Sequence, residues 1–219
     1  MRDIFTAELT ALGEDLIAMS RLVETAISSA GTALLTGDLA LAESVIADDH
    51  TIDAMERDLD ERCVMMIAQQ QPVARDLRII IAGLRMSASL ERMGDLARHI
   101  AQIARLRYPG AALPDSIRPT FVGMHHAAVE VARKVTTVID TLDVDLAAEL
   151  ESDDDELDAL LTETFAATAA EPATMTPQQV VDVTLCARYF ERFGDHGVSV
   201  AERVVYLVTG EVADHHSAH

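Results

Sequence analysis

Five residues recur almost unchanged in this chain of 219 residues: Glu91-Arg92-Met93-Gly94-Asp95 returns as Glu191-Arg192-Phe193-Gly194-Asp195 one hundred positions later. In each copy a Glu and an Asp stand four apart in a stretch with apolar residues at helical spacing. Both carboxylates therefore project from one helical face, a turn apart. Internal self-similarity of this kind is the signature of a repeated structural unit, so the chain is constrained to fold as two related halves. Two acids so placed repel each other if nothing sits between them, and a hard cation would turn that repulsion into binding.

Other stations of the repeat support the same division. Residues 3 to about 35 carry Leu9, Leu12, Leu16, Met19, Val23, Ile27 and Leu34 at helical spacing, and Thr36-Gly37-Asp38 then supplies a helix stop followed by an N-cap. A second helix is expected from Asp38 to about Gln70, with Asp49 and Asp53 repeating the acidic i, i+4 pairing. Gln71-Pro72 marks the next boundary, Pro72 suiting a first helical turn, and a third helix is expected to reach about Arg107. Tyr108-Pro109-Gly110, Pro114 and Pro119 are the clearest interruption, dividing residues 1–112 from 113–211. The second half then repeats the order. A helix from about Ile117 to Leu142 precedes a turn at Asp143 and an acidic segment holding Asp153, Asp154, Asp155, Glu156 and Asp158, and Glu171-Pro172 closes the connection after it. Thr176-Pro177-Gln178-Gln179 opens the last helix with a capping box, and Gly210 ends it near Thr209. Residues 212–219, with Asp214, His215, His216 and His219, read as a disordered tail.

The composition agrees. Hydrophobic residues make up 49% of the chain but aromatics only 4%, and the few prolines and glycines fall at the boundaries, which favours helices throughout. The expected fold is all-α: two tandem pseudo-symmetric three-helix bundles, each with one broad apolar face, packed into one elongated helical domain. Met55, Met65, Met66, Met86 and Met93 read as core, and Gly94 and Gly194 as points of close helix approach beside the acids. His50, His99, His125 and His126 have no paired ligand spacing and read as surface or packing residues.

The 37 acidic residues against 17 basic ones give a net charge of −20. A surface of that sign repels nucleic-acid phosphates and anionic lipids. No apolar run approaches the roughly 20 residues that span a bilayer, and the amino end has no signal-peptide pattern. Cys63 and Cys186 form no metal or redox motif, which fits a reducing cytosol. These readings point to a cytoplasmic protein without direct membrane insertion.

The repeat, the segment Gln71 to Arg78, the two ERxGD copies and the stretch Ala201-Glu202-Arg203 together resemble the PhoU family of phosphate-uptake regulators, over roughly residues 1 to 211. The resemblance implies two three-helix bundles with multinuclear metal sites built from acidic pairs on the second and third helices of each half. Carried over by position, the first site uses Asp49, Asp53, Glu91 and Asp95, and the second uses Asp154, Asp158, Glu191 and Asp195. The acidic run leaves the register open, with Asp155 an alternative to Asp154. His196 follows the second ERxGD, whereas Leu96 stands at the matching place in the first. The resemblance also implies a homodimer that negatively regulates phosphate uptake without catalysis. Its partners would be the ATPase subunit of the phosphate ABC transporter and a phosphate-sensing histidine kinase, and it would be recruited peripherally to the transporter.

Oxygen-only ligation suits Mg²⁺, Mn²⁺, Ca²⁺ or iron and does not choose among them. Arg92 and Arg98 stand within three residues of Asp95, so an ordinary ion-pair network competes with metal as the reason for these acids. Two further readings are a metal-free helical scaffold and a carboxylate-bridged di-iron or di-manganese enzyme. The enzyme would call for Glu-x-x-His pairs, but Gly94 and Gly194 occupy the third position after each Glu.

Overall fold

The computed structural model describes residues 2–170 and 175–211. It contains six α-helices: α1 Arg2–Thr36, α2 Leu39–Gln70, α3 Arg75–Arg107, α4 Arg118–Thr141, α5 Val144–Ala170 and α6 Pro177–Thr209. No strand occurs among the described residues. The expected connection at Glu171-Pro172 and the expected tail at residues 212–219 lie outside them.

Local chemistry sets most of the boundaries. Gly37 adopts φ +69°, and Asp38 caps α2 by accepting from the Leu41 amide at 3.0 Å. Asp143 opens the fifth helix in the same way, its Oδ1 accepting from the amides of Asp145 and Leu146 at 2.9 and 3.1 Å. Thr176 and Gln179 form the reciprocal capping box with Pro177 at the start of α6, and Gly210 closes that helix at φ +80°. The α2–α3 boundary departs from expectation. Gln71 takes the left-handed conformation as the C-cap of α2, and Pro72 falls in the connection; α3 begins only at Arg75. A proline just beyond a C-cap ends a helix as effectively as one inside a first turn begins the next.

Packing follows the repeat. Helices α1, α3, α4 and α6 form the centre of the molecule: the seam between the halves is α1 on α4 and α3 on α6, while α1 on α3 and α4 on α6 pack within each half. Helices α2 and α5 lie on the flanks, each packed only on the other two helices of its own half. The central position of α3 explains why it buries residues on several faces, including Ile80, Met86, Leu90, Met93, Ala97 and Ile100. Each fully buried Leu, Ile, Met or Phe contributes about 1.5–3 kcal/mol. Met66, Met86 and Met93 are core as expected and Met55 is half-buried, but Met65 is 53% exposed. Val64-Met65-Met66 is an apolar run in which only Met66 lies on the face of α2 that meets its neighbours. His125 is a packing residue: it fits against Gly31 of α1, where a Cβ would strike its ring.

Candidate metal centre

Each half brings its flank helix against its ERxGD helix, and the acidic residues of both meet along that groove. In the first half α2 presents Asp49 and Asp53, and α3 presents Glu91 and Asp95. Gly94 allows the approach: a Cβ there would lie 3.0 Å from Ile52 Cδ1 and 3.6 Å from Asp49 Oδ1. Asp49 is buried, and its carboxyl is held above the usual range by burial and by Asp53 and Asp95, against the pull of Arg98. Glu91 is raised by burial and by Asp95.

Two arginines of α3 are threaded through this cluster. Arg98 Nε lies 2.6 Å from Asp49 Oδ2, an ion pair without hydrogen-bond alignment, and Arg98 Nη2 donates to Asp95 Oδ1. Arg92 Nη1 is 3.0 Å from Asp95 Oδ2, and its Nε is 3.3 Å from Glu91 Oε2. Three of the four acids therefore already face a guanidinium.

The second half repeats the groove with different occupancy. Helix α5 presents Asp154 and Asp158, and α6 presents Glu191 and Asp195. Gly194 is again the point of approach, where a Cβ would run into Asp154 Oδ1 and Leu157. The register of the acidic run follows from its neighbours. Asp153 turns to α4, where Lys134 Nζ holds it at 2.8 Å, Asp155 is exposed, and Asp154 faces Gly194. Burial, reinforced by Asp195, Asp158, Glu191 and Asp155, pushes the Asp154 carboxyl up to about 7. Burial and Asp195 likewise raise Asp158 and Glu191, with Arg188 opposing both.

Glu191 is only 6% exposed. Its Oε1 accepts from Arg188, but its Oε2 is buried without a hydrogen-bond partner, as is Asp154 Oδ1. Orphaned buried carboxylate oxygens are costly unless protonated or paired with a cation. That pair of oxygens, beside a groove opened by Gly194, is what a divalent cation with all-oxygen ligands would fit. As the side chains stand, no group of three or more His, Cys, Asp or Glu among the described residues is disposed to hold a metal ion.

Two features of the site lay outside the sequence reading. Glu56, one turn beyond Asp53, joins Glu91, Arg92, Ala88, Ser89 and His196 around a surface cavity of about 330 Å³. His196 thus reaches from α6 across the seam to the first half, which neither repeat alone would indicate. In the other direction His99 of α3 packs on Tyr189 of α6, with ring centroids 5.2 Å apart.

Six helices in two matching halves, each with carboxylates facing across its second and third helices, define an all-α repeat protein with paired acidic grooves. The PhoU domain family model matches residues 16–104 and 121–204, and the chain belongs to the PhoU family. It is 39% identical over 210 residues to the phosphate-specific transport system accessory protein PhoU homolog 2 of Mycobacterium tuberculosis, covering 96% of this chain and 99% of that protein. It is 32% identical to the PhoU homolog of Rhizobium meliloti, over 94% of this chain and 87% of that one. Among solved structures, PhoU from Pseudomonas aeruginosa superposes with a TM-score of 0.87 at 31% identity, covering 94% of this chain and all of that one. The PhoU regulatory protein of the phosphate transport system from Streptococcus pneumoniae gives 0.81 at 25% identity, over 96% and 99% of the two chains.

Proposed function

We propose that this chain is a non-enzymatic regulator of phosphate uptake and phosphate-starvation signalling. It acts in the cytoplasm, as a homodimer, as an adaptor between the ATPase subunit of the phosphate ABC transporter and a phosphate-sensing histidine kinase. The observation that carries this reading is membership of the PhoU family along both halves, with relatives named as accessory proteins of phosphate-specific transport. That no helix among the described residues is long and apolar enough to cross a membrane fits recruitment to the transporter from outside the bilayer.

The acidic grooves are its cation sites. Asp154, Asp158, Glu191 and Asp195 would hold a divalent or iron cation in the second half, and Asp49, Asp53, Glu91 and Asp95 are the matching set in the first. A bound cation would supply positive charge that lets the carboxylates converge and ties the flank helix to its neighbour. The residues themselves set its terms: Asp154 must lose its proton, and Gly194 must leave room. A metal-free scaffold is favoured by one observation, the arginines within the first cluster.

The test is co-purification with the transporter's ATPase subunit, run with phosphate-uptake rates in cells lacking the native regulator. Parent protein and an Asp154→Asn/Glu191→Gln variant are compared, with metal content measured on both. Association with the ATPase, restrained uptake in rich phosphate and metal lost in the variant are expected. A folded parent that neither associates nor restrains uptake would sink the regulatory reading, and a metal-free parent would leave only the scaffold.

A further inference from the structure

We propose that the two grooves carry different cations: in the first half Arg98 stands where a metal would, and divalent metal binds in the second half alone. This rests on reading the second groove as a metal site.

The repeat makes the comparison position by position. Arg98 sits three residues after Asp95, and the residue three after Asp195 is Val198. Arg98 reaches from α3 to α2, pairing with Asp49 at 2.6 Å while also holding Asp95. It thus joins the two helices that a bridging cation would join. Arg92 adds a second guanidinium on Glu91 and Asp95. A guanidinium cannot be emptied by losing its proton, so a metal ion would have to break these partly buried pairs to enter.

The second half has no such bridge. Arg188 lies on the same helix as its partner Glu191, holds Oε1 only, and its side chain is 51% exposed. No ion pair among the described residues joins Asp154, Asp158 or Asp195 to a basic side chain. The orphaned oxygens follow the same division: Asp154 Oδ1 and Glu191 Oε2 are buried without a partner, whereas no carboxylate oxygen of the first set is. A guanidinium that bridges the flank helix to the ERxGD helix is present in the first half and, among the described residues, absent from the second.

The test is a Mn²⁺ titration by calorimetry of the full chain carrying His215→Ala, His216→Ala and His219→Ala, so that the terminal histidines contribute nothing. Four proteins are compared: this parent, Asp154→Asn/Glu191→Gln, Asp49→Asn/Asp95→Asn, and Arg98→Val, which places the second half's residue in the first. The expected result is binding in the parent that disappears in the first variant, is unchanged in stoichiometry in the second, and doubles in stoichiometry in Arg98→Val. Loss of half the parent's Mn²⁺ in Asp49→Asn/Asp95→Asn would overturn the proposal while leaving the metal reading intact. So would a folded Arg98→Val that gains none. Absence of Mn²⁺ from the parent would overturn both. Helicity by circular dichroism accompanies each titration; if Arg98→Val loses it, the Asp49→Asn/Asp95→Asn result decides, because that variant keeps every guanidinium.

Discussion

Arg107, in the last turn of α3, forks onto Asp182 near the start of α6: Nε lies 2.6 Å from Oδ2 and Nη2 lies 3.2 Å from Oδ1. Gln178 donates to the same carboxylate at 3.0 Å, and Asp182 is 3% exposed. The pair ties one half's ERxGD helix to the other's at the end of the seam. Removing the arginine would leave a buried carboxylate with one neutral donor, so Arg107→Ala should destabilise the fold by about 2–4 kcal/mol. Arg107→Ala/Asp182→Leu should recover much of that loss, because the uncompensated charge is gone. Urea unfolding of both variants is the check. Equal stability of Arg107→Ala and parent would mean that the pair contributes nothing.

The two repeat glycines should respond differently to alanine. Alanine gains about 1 kcal/mol of helix propensity over glycine at either position. At Gly94 the added methyl meets Ile52 Cδ1 at 3.0 Å, a contact that a small side-chain shift relieves, so Gly94→Ala should stay within about 1 kcal/mol of the parent. At Gly194 it collides with Asp154 and with buried Leu157, so Gly194→Ala should destabilise by about 1–3 kcal/mol and displace the Asp154 carboxylate. Thermal unfolding of the pair tests the order, which a more stable Gly194→Ala would reverse.

Much of this architecture was legible because its punctuation is local. Gly37-Asp38, Thr176-Pro177 with Gln179, and Gly210 each act within a turn of themselves, so sequence alone places those ends. The acidic run was not legible in register, because four consecutive acids give no periodicity; Lys134 on α4 and Gly194 on α6 decide which acid faces which neighbour. Arg98 was visible as a partner for Asp95 three residues away, but its reach to Asp49 depends on how α3 sits against α2. Arg107 with Asp182, and His196 beside Glu91, are tertiary in the same sense. What one turn of chain determines could be read; what two helices determine together could not.

Both thiols should be inert in the native state. Cys63 and Cys186 are free and wholly buried, and burial pushes Cys63 up to about 11 and Cys186 higher still. Since the thiolate is the reactive species, a disulfide reagent should label neither until the protein unfolds. Labelling that follows the global unfolding rate is expected, and fast modification of either cysteine in folded protein would contradict their placement.

The second groove predicts an inverted pH dependence for metal-free protein. Asp154 titrates at about 7 in the fold against an ordinary value of 3.8, chiefly through burial and then through repulsion by Asp195, Asp158, Glu191 and Asp155. A carboxyl raised by folding favours the protonated native state. Its contribution is fully present below about pH 4 and is lost as pH rises through about 7. Between those limits the loss is on the order of 2–4 kcal/mol. Asp154→Asn cannot ionise, so the difference in urea stability between variant and parent, in chelator, should grow in the variant's favour from about pH 5 to about pH 8. Titrating groups remote from Asp154 cancel from that difference, which reports Asp154 together with the acids coupled to it. Added Mn²⁺ should reverse the trend for the parent alone, because metal competes with the same proton and gains as the carboxyl ionises. A constant difference across this range would mean that Asp154 is not held protonated by its neighbours.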